Sequence, residues 1–159
     1  MPALVRTVTL LTLLCLAAGV PALRAQREKF SPDDLEYIQK TWPGLKKTNT
    51  GIRYLVHQPG AGQPPKPGDV LSVLFTGTLL EGTVIEKDLD DKHPYTFRLG
   101  RGEVIQGWDQ VFQLMKPGAS WLIIIPPELA YGSRGRPPRV PPESSLVYEV
   151  HLVGVQPEE

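Results

Sequence analysis

Apolar residues recur along this chain with two different periods, and the change between them marks out its elements. From Glu103 to Gly118 the spacing is helical. Val104, Ile105, Trp108, Val111, Phe112 and Met115 form one stripe, and Asp109, Gln110 and Gln113 fall opposite. Lys116 occupies the last turn and Pro117-Gly118 ends it, so about three turns are expected. A second helix is predicted after Ser31-Pro32-Asp33-Asp34, which supplies a side-chain cap, a first-turn proline and acids at the positive dipole end. Its apolar face is Leu35, Ile38 and Trp42, and Pro43-Gly44 stops it.

Elsewhere the period is that of strands. Ile52, Tyr54 and Val56 alternate with Arg53, Leu55 and His57. Asp69 to Leu80 alternates again, with Leu71, Val73 and Phe75 on one side. Glu81-Gly82 reads as a turn into Thr83–Glu86, and Tyr95 to Leu99 is a further strand. Trp121 to Ile125 is continuously apolar, as expected of a central strand covered on both faces. Leu146, Tyr148, Val150 and Leu152 share a face of the last strand, Leu146 to Val155. Pro59–Gly68 and residues 126–142, rich in proline, are loops. About five strands and one long helix wrapped by the sheet make an α+β fold. No internal repeat is visible.

Residues 1–25 differ in kind. Arg6 gives a short positive start, Val8 to Val20 form an apolar run too short to span a bilayer, and Pro21 breaks it. This is the pattern of a secretory signal peptide, with cleavage after Ala22 or Ala25. The domain organisation expected is a signal peptide over 1–25, an arm with a short helix over 26–49, and one domain over 50–159. The arm is expected to dock on the domain; the alternative is a contact for a partner chain. Cys15 invites a lipoprotein reading, but Leu14 stands where a small residue is expected and the apolar run continues past it. The mature chain is therefore expected outside the cytoplasmic membrane, periplasmic or secreted, with no stable membrane anchor.

Composition then removes several chemistries. Cys15 is the only cysteine and leaves with the leader, so neither a disulfide, a thiol nucleophile nor a thiolate metal site is available. Loss of Arg6 and Arg24 leaves 15 basic against 17 acidic side chains, a net charge of −2. That near-neutral balance argues against a nucleic-acid partner. Glu86, Asp88, Asp90, Asp91 and His93 crowd together, but counting from Asp88 puts His93 and Leu99 where a calcium loop needs Gly and an acid. Gly100, Gly102 and Gly107 miss the dinucleotide fingerprint because Ile105 occupies the last position. No metal and no cofactor are expected.

What remains is aromatic and apolar: Phe75, Ile85, Tyr95, Val104, Ile105, Trp108, Tyr131 and Tyr148, contributed by every element of the domain. Tyr131 lies in the glycine-bounded loop Ala130-Tyr131-Gly132, where core packing is a poor reason for a tyrosine. Four ordered motifs carry a resemblance: T-G-T-L-L-E-G at 76–82, V-I-Q-G-W at 104–108, P-x-L-A-Y-G at 127–132 and P-P-x-S-S-L-V-Y-E-V at 141–150. Together they resemble the signatures of the FKBP-type peptidyl-prolyl isomerases, without gaps from about Val70 to Val153.

The resemblance implies an antiparallel sheet of five or six strands wrapped around a short helix. It implies Trp108 as the floor of a proline pocket, Val104 and Ile105 as wall, and the Ile105 N–H as a ligand donor. Tyr131 supplies a rim hydroxyl, Tyr95 and Tyr148 complete the aromatic wall, and Val140 belongs to the loop above. The catalytic set it implies is Trp108, Tyr131, Ile105 and Glu86. Phe75 stands where the family usually has Tyr, Ile85-Glu86 replaces a common Phe-Asp pair, and Arg136 replaces a frequent His. The partners implied are proline-containing polypeptides and macrolides of the tacrolimus and rapamycin type; a monomer is expected over a dimer formed through the 26–49 arm. The rival reading is a non-catalytic module that binds proline peptides or a partner without turnover.

Overall fold

The structure, a computed structural model, describes residues 27–158; the predicted signal peptide lies outside the described residues. Helix α1 (Pro32–Thr41) is followed by strands β1 (Lys46–Lys47), β2 (Arg53–Gln58), β3 (Val70–Leu79), β4 (Val84–Asp88) and β5 (Tyr95–Arg98). Then come helix α2 (Gln106–Val111), β6 (Ser120–Ile125) and β7 (Leu146–Gln156). Among the described residues the sheet has seven strands in the order β1-β2-β6-β7-β3-β4, with β5 also paired to β3. All pairings are antiparallel. The count exceeds the five or six expected because the two-residue β1 adds an edge the pattern could not signal; β4 and β5, both expected, share one edge of β3. Val70–Val73 pairs with β5 and Phe75–Thr78 with β4. None of the helices described is long and apolar enough to cross a membrane.

Strand β3 organises the sheet. Leu71, Val73, Phe75, Gly77 and Leu79 are buried and the residues between them are half-buried, so the period-two pattern is realised along its whole length. Its other edge runs along β7, from Leu79 opposite Leu146 to Val70 opposite Gln156. A bulge after Leu152 inserts one residue into β7, and the change of parity brings Val155 opposite Leu71 and onto the core. Gly77 lies under the Tyr148 ring, where a Cβ would collide with it. This close approach lets Tyr148 lie across β3.

The long helix expected over 103–118 is shorter. It starts at Gln106, gives way to a 3₁₀ turn over Phe112–Leu114, and ends with Met115 already extended. Before it, Glu103 is held by accepting from the Arg98 N–H at 2.8 Å, and Ile105 is extended at φ −61°, ψ 149°. After it, Pro117 disfavours helical backbone at Lys116. Gly107 packs the helix directly on Ile125 with no room for a side chain. Trp108, Val111, Phe112 and Met115 are nonetheless all buried, so the expected stripe survives the change of helix type.

Strand β6 is covered on both faces. Trp121, Ile123 and Ile125 join the main core with α2, while Leu122 and Ile124 join a second cluster with Phe30, Ile38 and Val147. That second cluster is the docking of α1 on the outer face of the sheet, with Leu35 and Trp42 at its margin. The Ser31 hydroxyl accepts from the Asp34 N–H at 3.1 Å, and Asp34 in turn accepts from Ser145 Oγ at 2.5 Å, just ahead of β7. Glu28 accepts from Arg53 at 2.8 Å and Lys47 at 3.1 Å. Burial opposes ionisation of Glu28, but these bonds outweigh it and hold the carboxyl below its ordinary range.

Candidate functional site

Where β3, β4, β5 and the entry to α2 converge, they enclose a cavity of about 350 Å³, within the usual size of a small-molecule site. Its floor is Trp108. The indole is boxed by rings set edge to face: Phe75 at 4.9 Å and 88°, Tyr148 at 5.2 Å and 76°, and Phe112 at 5.2 Å and 69°. Phe97, tilted at 5.7 Å, and Tyr95 at 6.3 Å complete the box. Such contacts are favourable pairwise and allow the indole little freedom to tilt. Trp108 Nε1 is buried without a protein partner, but so is Trp121 Nε1, so the orphan N–H does not by itself mark a site.

The polar groups sit on two sides of this floor. Val104 and Ile105 line the cavity from the extended segment that enters α2. The Ile105 carbonyl accepts from the Trp108 and Asp109 N–H groups, whereas its own N–H is unpaired among the described residues. Opposite, Tyr131 comes from the loop between two short 3₁₀ turns, Pro127–Leu129 and Gly132–Arg134.

Glu86, on β4, joins the two tyrosines. One of its oxygens accepts from the Tyr148 hydroxyl at 2.6 Å and the other from Arg136 Nη1 at 3.2 Å. The same Arg136 nitrogen donates to the Tyr131 hydroxyl at 3.2 Å. Burial, then the charge of Glu86, push the Tyr148 phenol well above its ordinary value. Tyr95 is raised the same way, by burial and by the charges of Glu86 and Glu103. The hydrogen bond to Tyr131 and the charge of Glu86 hold the Arg136 guanidinium even more firmly protonated.

Seven of the nine expected binding residues line this cavity: Phe75, Tyr95, Val104, Ile105, Trp108, Tyr131 and Tyr148. Glu86 lines it too. Ile85 and Val140 do not. Ile85 is buried in the core on the face of β4 opposite exposed Val84, and its carbonyl accepts from Arg139 Nη1 at 3.3 Å. Val140 is 2% exposed, and its backbone pairs with Arg136 beneath the loop. Two lining residues were not anticipated, Glu103 and Arg136. The only signal for Arg136 was its place as a departure from the family pattern; Glu103 reads as the first residue of the expected helix.

The chain's comparisons agree with this geometry. A family model for FKBP-type peptidyl-prolyl cis-trans isomerases matches residues 61–153. Mip, a peptidyl-prolyl cis-trans isomerase of Coxiella burnetii, is 40% identical over 117 residues, covering 74% of this chain and 50% of that protein. The crystal structure of FkpA from Escherichia coli superposes with a TM-score of 0.71 at 37% identity, over 80% of this chain and 59% of that one. A peptidyl-prolyl isomerase structure from Pseudomonas syringae gives a TM-score of 0.70 at 31% identity, over 79% of this chain and 92% of that one. The chain spans about half the length of the curated relatives it matches. With its motifs in order, its sheet wrapped on a short helix and an aromatic cavity at their junction, this chain belongs to the FKBP-type peptidyl-prolyl cis-trans isomerase family.

Proposed function

We propose that this protein catalyses cis–trans isomerisation of X-Pro bonds in exported polypeptides, and that the Trp108 cavity is where it does so. The observation that carries the reading is the pairing of an apolar aromatic floor with two donors, the free Ile105 N–H and the Tyr131 hydroxyl. Rotation about a prolyl amide must cross a barrier of ~18–20 kcal/mol, because conjugation is lost at the twisted midpoint. The planar amide is more charge-separated and better solvated by water. A cavity floored by Trp108, Phe75 and Tyr148 removes that water and favours the twisted form. The two donors hold the carbonyls flanking proline while the ring rests on the indole. Tighter binding at the twist than at either planar form is sufficient for catalysis, and no proton moves.

Export rests on the leader pattern of residues 1–25, and action as a monomer on the way α1 buries Ile38 against its own sheet. Macrolides of the tacrolimus and rapamycin type are proposed to enter the same cavity. The test is isomerisation of a chromogenic prolyl tetrapeptide by the purified protein, with binding followed in parallel. Turnover supports the isomerase; binding without turnover hands the site to a non-catalytic proline-binding module.

A further inference from the structure

We propose that Arg136 is a positioning residue that orients the Tyr131 hydroxyl as a donor toward the bound peptide. The proposal rests on the reading of the cavity as a prolyl-peptide site. Arg136 is itself well anchored. Its N–H donates to the Val140 carbonyl at 2.8 Å and its carbonyl accepts from the Val140 N–H at 3.0 Å, while the Val140 side chain is buried in the main core. Arg139, in the same loop, reaches back to β4 through the Ile85 carbonyl. The loop backbone is therefore pinned at two points and starts the Arg136 side chain at the rim; the side chain itself is 60% exposed and is held there by its contacts with Glu86 and Tyr131.

From there a single nitrogen, Nη1, serves two acceptors, Glu86 Oε2 and the Tyr131 oxygen. Glu86 is in turn fixed by the Tyr148 hydroxyl, a side chain 1% exposed. The line of contacts runs from the core through Tyr148, Glu86 and Arg136 to Tyr131. Its chemical effect is directional. Arg136 has only donors, so Tyr131 must accept from it and keeps its own proton for another acceptor. A phenol that accepts from a cation is also a stronger donor. Without Arg136 the nearby carboxylate of Glu86 competes for the Tyr131 proton, and the donor turns away from the peptide. The guanidinium also lies 5.7 Å from the centre of the Tyr131 ring, which adds a cation–π contact to the restraint.

A double-mutant cycle tests this in kcat/KM for a tetrapeptide with one Leu-Pro bond, using the wild type, Arg136→Met, Tyr131→Phe and the double variant. Arg136→Met is expected to lower kcat/KM about three- to tenfold, the range of one charge-assisted hydrogen bond partly exposed to water. In the Tyr131→Phe background the same change is expected to matter less than about twofold, because the group it orients is gone. Equal losses in both backgrounds, or no loss from Arg136→Met alone, overturn the proposal. Arg136→Leu, which likewise has no donor, replaces the Met variant if thermal melting shows the latter to be unfolded. The same four proteins are titrated with the peptide for Kd. A wild type without turnover defeats the isomerase reading, and the cycle in Kd then decides the role of Arg136 on the same criteria.

Discussion

The Tyr148 hydroxyl donates to Glu86 at 2.6 Å, from a ring that lies over Gly77 and against Trp108. Phe75, which also lines the cavity, has no hydroxyl to offer. A residue of the last strand thus fixes the one carboxylate of β4 that faces the floor. Tyr148 is at once a wall of the cavity and an internal brace, and its ionisation is coupled to the stability of the whole domain.

That coupling has a definite sign. The folded pKa of Tyr148 is raised, whereas in the unfolded chain it is ordinary, at ~10. Below pH ~10 both states hold the proton and stability is unaffected. Above it the unfolded state loses the proton first, so stability falls as pH rises, by ~1.4 kcal/mol per pH unit for one group. Urea unfolding of the wild type between pH 10 and 11.5 is expected to lose stability more steeply than that of Tyr148→Phe, by about this slope. Parallel slopes in the two proteins would mean that Tyr148 ionises freely in the fold.

Docking of the N-terminal arm is tested at Ile38, which is 1% exposed against Leu122, Ile124 and Val147. Ile38→Ala is expected to cost ~2–4 kcal/mol of global stability, the usual range for truncating a buried isoleucine. Isomerisation at 25 °C should be nearly unchanged, because α1 covers the face of the sheet away from the cavity. A melting temperature equal to that of the wild type would show α1 to be a loose appendage.

The parts of this architecture written into local sequence are those with a strong period. The β3 alternation, the run in β6 and the Ser31 cap all appear where the pattern places them. The α2 helix does not keep its length, because the stripe from Trp108 to Met115 reports which residues are buried and not which backbone carries them. Extended, helical and 3₁₀ segments in succession bury the same side chains. The site shows the same limit. Aromatic identity pointed to Trp108, Tyr95 and Tyr148, but Ile85 and Val140 are buried in the core rather than lining the cavity, because of strand parity and a loop pairing. Arg136 enters it through a side chain reaching over a distance that no periodicity encodes.

The floor of the cavity is tested at Trp108. Trp108→Ala is expected to cost ~3–5 kcal/mol as a truncation among five rings, so loss of activity in that variant is uninformative. Trp108→Leu keeps more of the bulk and is expected to fold while weakening proline-peptide binding. The measurement is the Kd of a proline peptide for the Leu variant, with circular dichroism confirming the fold. Wild-type affinity would reduce Trp108 to packing.

The pH dependence of turnover separates a binding mechanism from proton transfer. In the proposed mechanism nothing gains or loses a proton, and the rate tracks a titrating group only if that group alters binding. The phenols of Tyr95 and Tyr148 are both raised, so they stay protonated below their ordinary ~10. Arg136 is held charged throughout the working range. Glu86 accepts one hydrogen bond at each oxygen, from Tyr148 and Arg136, and the mechanism asks no proton transfer of it. The expected kcat/KM is therefore flat from about pH 6 to 9, with a peptide that does not itself titrate there. General acid–base catalysis gives a sloping or bell-shaped profile in that window. A bell that disappeared in Glu86→Gln, with the fold intact, would make Glu86 a proton-transfer group and end the desolvation mechanism.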